Sequence, residues 1–283
     1  MTTFLTDADV RALFDWRSAI EALRAAYSVP DDAARFPPRA QARGEFGWLR
    51  TMSGIPADGA VMGAKMIAVS LAGGRGSYLI PLFDQRTAEL VALLDGNSVT
   101  GFRTAATSAL AVDILAPAGP LRAAVIGSGF EARHHVRAVT AVRELGAMTV
   151  FSPSPASRAR FVDHLADLPV PVTASGSARD AVDGADLVIC AARSHDERPT
   201  LDGRWLAPGM TVVSIGSTAA DQRELDPESV ARADVIVADQ VDEVSHDSGD
   251  MIAAKQAGIV FADKVVPLAG VVSGRAPGRR SSA

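Results

Sequence analysis

Cysteine is almost absent from this chain of 283 residues: there is one, Cys190. A single thiol excludes an intramolecular disulfide and any cysteine-rich metal centre. Its place in the apolar run Leu187-Val188-Ile189-Cys190-Ala191-Ala192 marks it as a small core residue. An excess of positive charge is also missing. Lysine and arginine number 28 against 33 acids, for a formal charge of −5, and no basic stripe is present. Nucleic acid is therefore excluded as the main partner, because nothing is arranged to displace its counterions. No apolar run approaches the roughly 20 residues of a membrane span, and no basic-then-apolar leader opens the chain. The expectation is a cytoplasmic protein with neither membrane nor metal. What is present is 48% hydrophobic and 22% charged residues, the balance of a globular protein with one large or two modest domains.

The chain is organised around Leu121-Arg122-Ala123-Ala124-Val125-Ile126-Gly127-Ser128-Gly129-Phe130-Glu131-Ala132-Arg133. Small and branched apolar residues predict a buried parallel strand that breaks at Gly127. Helical spacing resumes through Ala132, Val136 and Val139. Gly127-x-Gly129-x-x-Ala132 is the dinucleotide fingerprint with alanine in third place. Gly127 permits the turn, Gly129 lets backbone approach a pyrophosphate, and Ala132 lets helix and strand pack closely. The helix N-terminus offers amides and partial positive charge to the phosphates. The competing reading is an ordinary glycine turn.

Around this centre the chain splits in character. Thr6-Asp7-Ala8-Asp9 predicts a capped helix start, and a second helix is expected over 17–27, ended by Pro30 and Asp31-Asp32. Residues 36–94 read as several strands and hairpins punctuated by glycine. Asn97 is placed to cap a helix reaching Leu115, followed by a hinge-like linker at Pro117 and Pro120. From Leu121 onward strands are expected at 123–126, 148–151, 170–173, 187–191, 211–215 and 235–238, with helices at 132–144 and 156–165. Alternation of this kind predicts an α/β fold: a Rossmann doubly wound parallel sheet over residues 119–261, beside an N-terminal α+β domain over 1–118. The tail, residues 273–283, is expected to be disordered at its end.

The cofactor preference is read from the second strand of the sheet. An NAD site ordinarily ends that strand with an acid, about 20 residues beyond the glycines, to hold the ribose 2′-hydroxyl. Here Phe151 is followed by Ser152-Pro153-Ser154-Pro155, with Arg158 beyond. Nothing repels a 2′-phosphate, and two hydroxyls and an arginine can hold one. The expectation is NADP rather than NAD, against the plainer reading of a loop with an N-capping serine.

Three basic residues of the N-terminal part stand where solvated charge is not expected. Lys65 lies in Ala60-Val61-Met62-Gly63-Ala64-Lys65-Met66-Ile67-Ala68-Val69, apolar on both faces. A buried ammonium costs several kcal/mol unless it is paired or its pKa falls, so the residue is a candidate for chemistry. Arg103 interrupts a helix of Ala, Thr and Ser, and Arg39 follows the stiff Pro37-Pro38. The alternatives are a lysine snorkelling to water and two structural salt bridges.

Taken together, Pro37-Pro38-Arg39, Gly63-Ala64-Lys65, Leu82-Phe83-Asp84, the run Asp95-Gly96-Asn97-Ser98-Val99-Thr100-Gly101-Phe102-Arg103-Thr104-Ala105-Ala106, the glycine turn and Arg223-Glu224-Leu225-Asp226 resemble the ornithine cyclodeaminase/mu-crystallin family over nearly the whole chain. The resemblance implies a homodimer with an N-terminal substrate and dimerisation domain, joined by residues 262–283, beside the Rossmann domain. It implies that Arg39, Lys65 and Arg103 hold a substrate carboxylate and that Lys65 also exchanges a proton beside C2. Thr104 and the turn through Gly127, Ser128, Gly129, Phe130 and Glu131 would meet the dinucleotide phosphates. Ser152, Ser154 and Arg158 would meet the ribose, and Ala191, Ala192, Ile215, Gly216, Ser217 and Asp239 would line the rest of its site.

Two departures qualify the resemblance. Ornithine cyclodeaminases carry an aspartate where this chain has Thr218, so a net redox reaction is expected rather than ammonia loss with ring closure. Family members also continue past the region of Gly274-Arg275 with a turn and a last helix, whereas this chain stops at Ala283. The expected activity is NADPH-dependent reduction of a cyclic ketimine or imino acid of the pyrroline- or piperideine-2-carboxylate type, or the reverse dehydrogenation. The alternatives are an ornithine cyclodeaminase with recycled NAD and a non-catalytic NADP-binding protein.

Overall fold

The computed structural model describes residues 2–30, 32–57, 59–192 and 198–279. Two compact units meet in sequence at Thr104 and Ala105, inside a helix, rather than at the expected 118/119. Residues 262–279 lie with the second unit, where the expectation had joined them to the first.

The first unit runs β1 (Thr3–Leu5), α1 (Asp7–Leu13), α2 (Trp16–Ser28), β2 (Ala40–Arg43), β3 (Gly47–Gly54), β4 (Val61–Ser70), β5 (Gly76–Asp84), β6 (Leu90–Asp95) and the start of α3 (Asn97–Leu115). Thr6 caps α1 in a reciprocal box, donating its amide to the Asp9 carboxylate while its hydroxyl accepts from the Asp9 amide. Asp15 caps α2 by accepting from the Ser18 amide. The strands form one sheet in the order β1-β6-β5-β4-β3-β2. Its members β2 to β6 pair antiparallel and β1 lies parallel to β6. Strand β1 was not foreseen, since three residues are too few to show an alternation.

Directly paired residues point to the same side, so the register sorts the sheet into two faces. One carries Arg50, Met52, Lys65, Ile67, Tyr78 and Ile80. Gly96 sits against this face, where a Cβ would meet Ile80 at 3.1 Å and the Tyr78 Cβ at 3.1 Å. The other face carries Phe4, Ala42, Leu49, Met66, Ala68, Leu79 and Leu93. On it Phe4, Leu49 and Leu79 are 68%, 42% and 41% exposed.

The second unit continues with β7 (Leu121–Ile126), α4 (Phe130–Thr140), β8 (Leu145–Phe151), α5 (Pro155–His164), β9 (Val172–Ala174), α6 (Ala178–Val182), β10 (Leu187–Cys190), β11 (Thr211–Ser214), α7 (Pro227–Arg232), β12 (Ile236–Ala238), α8 (Val241–Asp247), α9 (Gly249–Gln256), β13 (Val265–Pro267) and α10 (Leu268–Val272). Five strands form a parallel sheet in the order β11-β10-β7-β8-β9. Ala124, Val125, Val150, Leu187, Val188, Ile189 and Cys190 are fully buried in it, as near-continuous apolar runs require when helices cover both faces. The crossover direction reverses between β7 and β10, which is where such sheets open a crevice at the strands' carboxyl ends.

Two expectations are corrected, and a third falls largely outside the described residues. The strand expected at 235–238 does not join the main sheet, because β12 pairs instead with β13 in a separate two-stranded parallel sheet. The linker after α3 is not a free hinge: the Arg143 guanidinium donates to the carbonyls of Pro117 and Gly119 and fastens it. The tail is docked as far as Arg279, which donates to the carbonyls of Leu115 and Gly209 and to the Thr211 hydroxyl. Its last residues, 280–283, lie outside the described residues. No helix among the described residues is long and apolar enough to cross a membrane, and none of their His, Cys, Asp and Glu groups is placed to hold a metal.

Candidate active site

The first unit gathers positive charge on one sheet face. Lys65 is half-buried in the middle of β4, opposite Met52 of β3. Arg50, two residues from Met52, projects to the same side and stands opposite Ile67. Arg103 reaches the same neighbourhood from α3. Burial, then the charge of Arg103, then that of Arg50 press the Lys65 pKa down to about 8. An ammonium with that pKa is mostly protonated at neutral pH yet gives up its proton readily, which suits a general acid.

Arg50 is anchored away from its strand. Its Nε and Nη2 donate to Gln41 Oε1 at 2.9 and 2.7 Å, and its guanidinium carbon lies 5.1 Å from the Trp48 ring centroid. Arg39 immediately precedes β2. Extending the Ala40–Thr51 register by one residue sets Arg39 beside Met52, two strands from Lys65 and on the same face. Lys65 and Arg103 are thus brought within electrostatic reach, and Arg39 joins them by register. The sequence reading missed Arg50. Its signal was available in the alternation of Trp48, Arg50 and Met52, but only the pairing of Met52 with Lys65 shows that those residues share the lysine's face. Thr104, one turn beyond Thr100 on α3, donates its hydroxyl to the Thr100 carbonyl at 2.9 Å.

The second unit forms the strand, glycine turn and helix that the sequence spacing predicts. Gly127 has φ +110°, and a Cβ there would lie 2.4 Å from the Ala191 carbonyl oxygen, so only glycine fits. At Gly129 a Cβ would meet nothing within 4 Å, which leaves open space before α4. No side chain of the N-cap occupies the first amides of α4. A pyrophosphate fits this arrangement of open backbone and unfilled helix terminus. Ser128 donates its hydroxyl to Ser152 Oγ at 2.9 Å, joining the turn to the end of β8. Phe130 packs its ring 4.0 Å from that of His134, and Glu131 holds a carboxylate oxygen 3.8 Å from His135 Nδ1.

After β8, Ser152 is buried while Ser154 caps α5 by accepting from the Ser157 amide. Arg158 donates to the Ser152 carbonyl and lies 5.6 Å from the Phe151 ring centroid. No acid stands at the end of β8.

The segments following β10 and β11 converge on a residue whose role the sequence reading did not identify. Glu224, fully buried, accepts from the Ala192 amide through Oε1 at 2.8 Å. Its Oε2 accepts from the Ser214 hydroxyl and the amides of Ile215 and Gly216 at 2.7, 2.8 and 2.7 Å. Burial pushes its pKa up to about 7 against these bonds. Ser217 donates to the Gln222 carbonyl and accepts from the Asp250 amide, and the Asp250 carboxylate in turn accepts from the Glu224 amide. Thr218 is exposed and donates amide and hydroxyl to Gln222 Oε1 at 3.0 Å each. Asp239, also exposed, follows β12 and accepts from the Gln240 amide.

A model of the ornithine cyclodeaminase/mu-crystallin family matches residues 2–283. The Δ1-pyrroline-2-carboxylate reductase of Paracoccus denitrificans is 29% identical over 275 residues, covering 93% of this chain and 83% of that protein. The ketimine reductase mu-crystallin of Mus musculus is 30% identical over 196 residues, covering 69% of this chain and 59% of that protein. For some curated relatives, then, the match spans little more than half of their length. The structure of Thermococcus litoralis Δ1-pyrroline-2-carboxylate reductase with NADH and L-proline superposes with a TM-score of 0.88 at 26% identity, covering 99% of this chain and 89% of that one.

Proposed function

The chain belongs to the ornithine cyclodeaminase/mu-crystallin family, and we propose that it is an NAD(P)H-dependent reductase of a cyclic imino acid. The observation that carries this reading is Lys65, half-buried on the sheet face it shares with Arg50 and close enough to Arg103 that burial and these two charges press its pKa down to about 8. A carboxylate attached to the imine carbon complements this concentration of positive charge. Arg103 and Arg39 would clamp it with paired charge-assisted bonds, which a planar guanidinium supports and a point charge does not. Lys65 would donate its proton to the imine nitrogen and recover one from water afterwards.

When bound, a nicotinamide dinucleotide supplies the hydride that adds to the imine carbon, so that hydride and proton together convert C=N to CH–NH. The residues that would hold it are Gly127 to Glu131, Ser152, Ser154, Arg158, Ala191, Ala192, Ile215 to Ser217 and Asp239, with Thr104. We assign NADPH as the preferred form because Ser152 stands where an acid would select NAD. Relatives that are reductases of imino acids support imine reduction, and NADH in the T. litoralis complex keeps both cofactors in the trial. The apolar sheet face of Phe4, Leu49 and Leu79 supports a homodimer in which a second copy covers it.

The test is a panel of cyclic imines, headed by pyrroline- and piperideine-2-carboxylate, assayed with NADPH and NADH at the nicotinamide absorbance band. Stoichiometric loss of the reduced cofactor is expected. Proline and ammonia formed from ornithine with no net cofactor change would instead identify a lyase, an outcome that the hydroxyl at Thr218 argues against.

A further inference from the structure

We infer that Glu224 is a positioning residue of the dinucleotide site, tying the segments after β7, β10 and β11 into one surface. The inference rests on the dinucleotide reading above and adds a residue that would not itself touch the cofactor.

A sheet of this order offers its ligand the backbone at the carboxyl ends of β7, β10 and β11. These ends are separate pieces of chain, and loops are held only by what bonds them. The Gly127 turn packs directly on the peptide between Ala191 and Ala192, 2.4 Å from the position of a missing Cβ to the Ala191 oxygen. The amide of that same Ala192 donates to Glu224 Oε1, while Oε2 takes three donors from Ser214, Ile215 and Gly216. One carboxylate therefore sets the spacing between two loops and, through Ala192, the seat of the glycine turn. Gly216 is fitted to it as well: a Cβ there would lie 2.6 Å from Glu224 Oε1.

The chemistry demands a carboxylate. Four donors converge on its two oxygens, and an ionised carboxyl is acceptor-only. Glutamine has nearly the same shape but one oxygen. With that oxygen kept on the three donors of β11, its NH2 would face the Ala192 amide, donor against donor, and part the β10 loop from the rest.

The experiment measures NADH binding by fluorescence and thermal unfolding for wild type, Glu224→Gln, Gly216→Ala, the double variant, and Phe161→Leu as a control. Phe161 is buried in α5, remote in sequence from these loops, and its truncation lowers stability without touching them. Glu224→Gln is expected to weaken NADH binding about tenfold or more, the scale of one or two lost bonds to a charged group. At saturating cofactor the KM for the imine should stay within about twofold. Gly216→Ala should do the same, and the double variant should be scarcely worse than either, because both break one contact. Phe161→Leu should lose melting temperature and keep its affinity. Glu224→Gln with wild-type affinity, or affinity loss that merely follows melting temperature across all variants, overturns the positioning role. Wild type that binds neither NADH nor NADPH overturns the dinucleotide reading, and this inference with it.

Discussion

Arg50 and Lys65 occupy neighbouring strands on one face of the sheet, a single residue pair apart along the register, and the charge of the first helps hold down the pKa of the second. A general acid works while it is protonated, so activity should fall as pH rises through about 8. Arg50→Gln removes the smaller of the two charges opposing protonation and should move this alkaline limb upward by a fraction of a pH unit. A pH–rate profile of kcat decides it; an unmoved or lowered limb shows that Arg50 does not act on Lys65.

Discrimination between cofactors should lie with Arg158. The guanidinium is already bonded to the Ser152 carbonyl and laid against Phe151, so it is oriented before any ligand arrives. Arg158→Ala should weaken NADPH by roughly 1–2 kcal/mol, the loss of a charged hydrogen bond, while NADH changes little. Titration of both cofactors against both proteins tests this. Equal wild-type affinities for the two would remove the basis for the NADP assignment.

His135 gives the second unit a defined sensitivity to acid. Its ring is fully buried, bonded to the Glu131 carbonyl and the Ser108 hydroxyl, and burial lowers its pKa from 6.5 to about 4. A depressed folded-state value means that the unfolded chain binds the proton first. The contribution to stability is complete above about 6.5 and is lost as pH falls toward 4. The shift corresponds to about 3 kcal/mol. Urea unfolding of wild type and His135→Phe at pH 7.5 and 4.5 should show the difference between them moving in favour of the variant by that order at the lower pH. A difference independent of pH would contradict the buried neutral state.

The apolar sheet face makes the assembly testable. Phe4, Leu49 and Leu79 share it with Ala42, Met66, Ala68 and Leu93, so one flat surface carries no interrupting lysine or arginine. Wild type should sediment as a dimer, and Leu49→Lys with Leu79→Lys should yield a folded monomer, since two buried charges at a symmetric interface become four. A dimer that survives both substitutions must use another surface.

What the sequence disclosed follows from how locally each feature is written. The turn at Gly127 was legible because its fingerprint, Gly127 to Ala132, lies within six residues, and Gly127 has no room for a side chain. The capping box of Thr6 and Asp9 and the helix from Asn97 to Leu115 were legible for the same reason. Helix α4 ends at Thr140 rather than the expected 144, because β8 already begins at Leu145 to pair with β7. The pairing of β12 with β13 depends on a partner almost thirty residues away, and no local pattern announces it. Arg50 and Glu224 escaped for a related reason. A strand arginine and a glutamate beside leucine are ordinary in sequence, and only the register in one case and four converging donors in the other distinguish them.

The account stands most directly on Lys65 as the proton donor. Lys65→Met keeps the stem and fills the same place in β4, so the sheet should fold, while the only group able to protonate the imine from that position is gone. Turnover at saturating imine and NADPH should fall at least ~100-fold, within the range of a general acid, with NADPH affinity nearly unchanged. Turnover within about threefold of wild type, less than 1 kcal/mol of barrier, would contradict the account and leave Lys65 a structural residue.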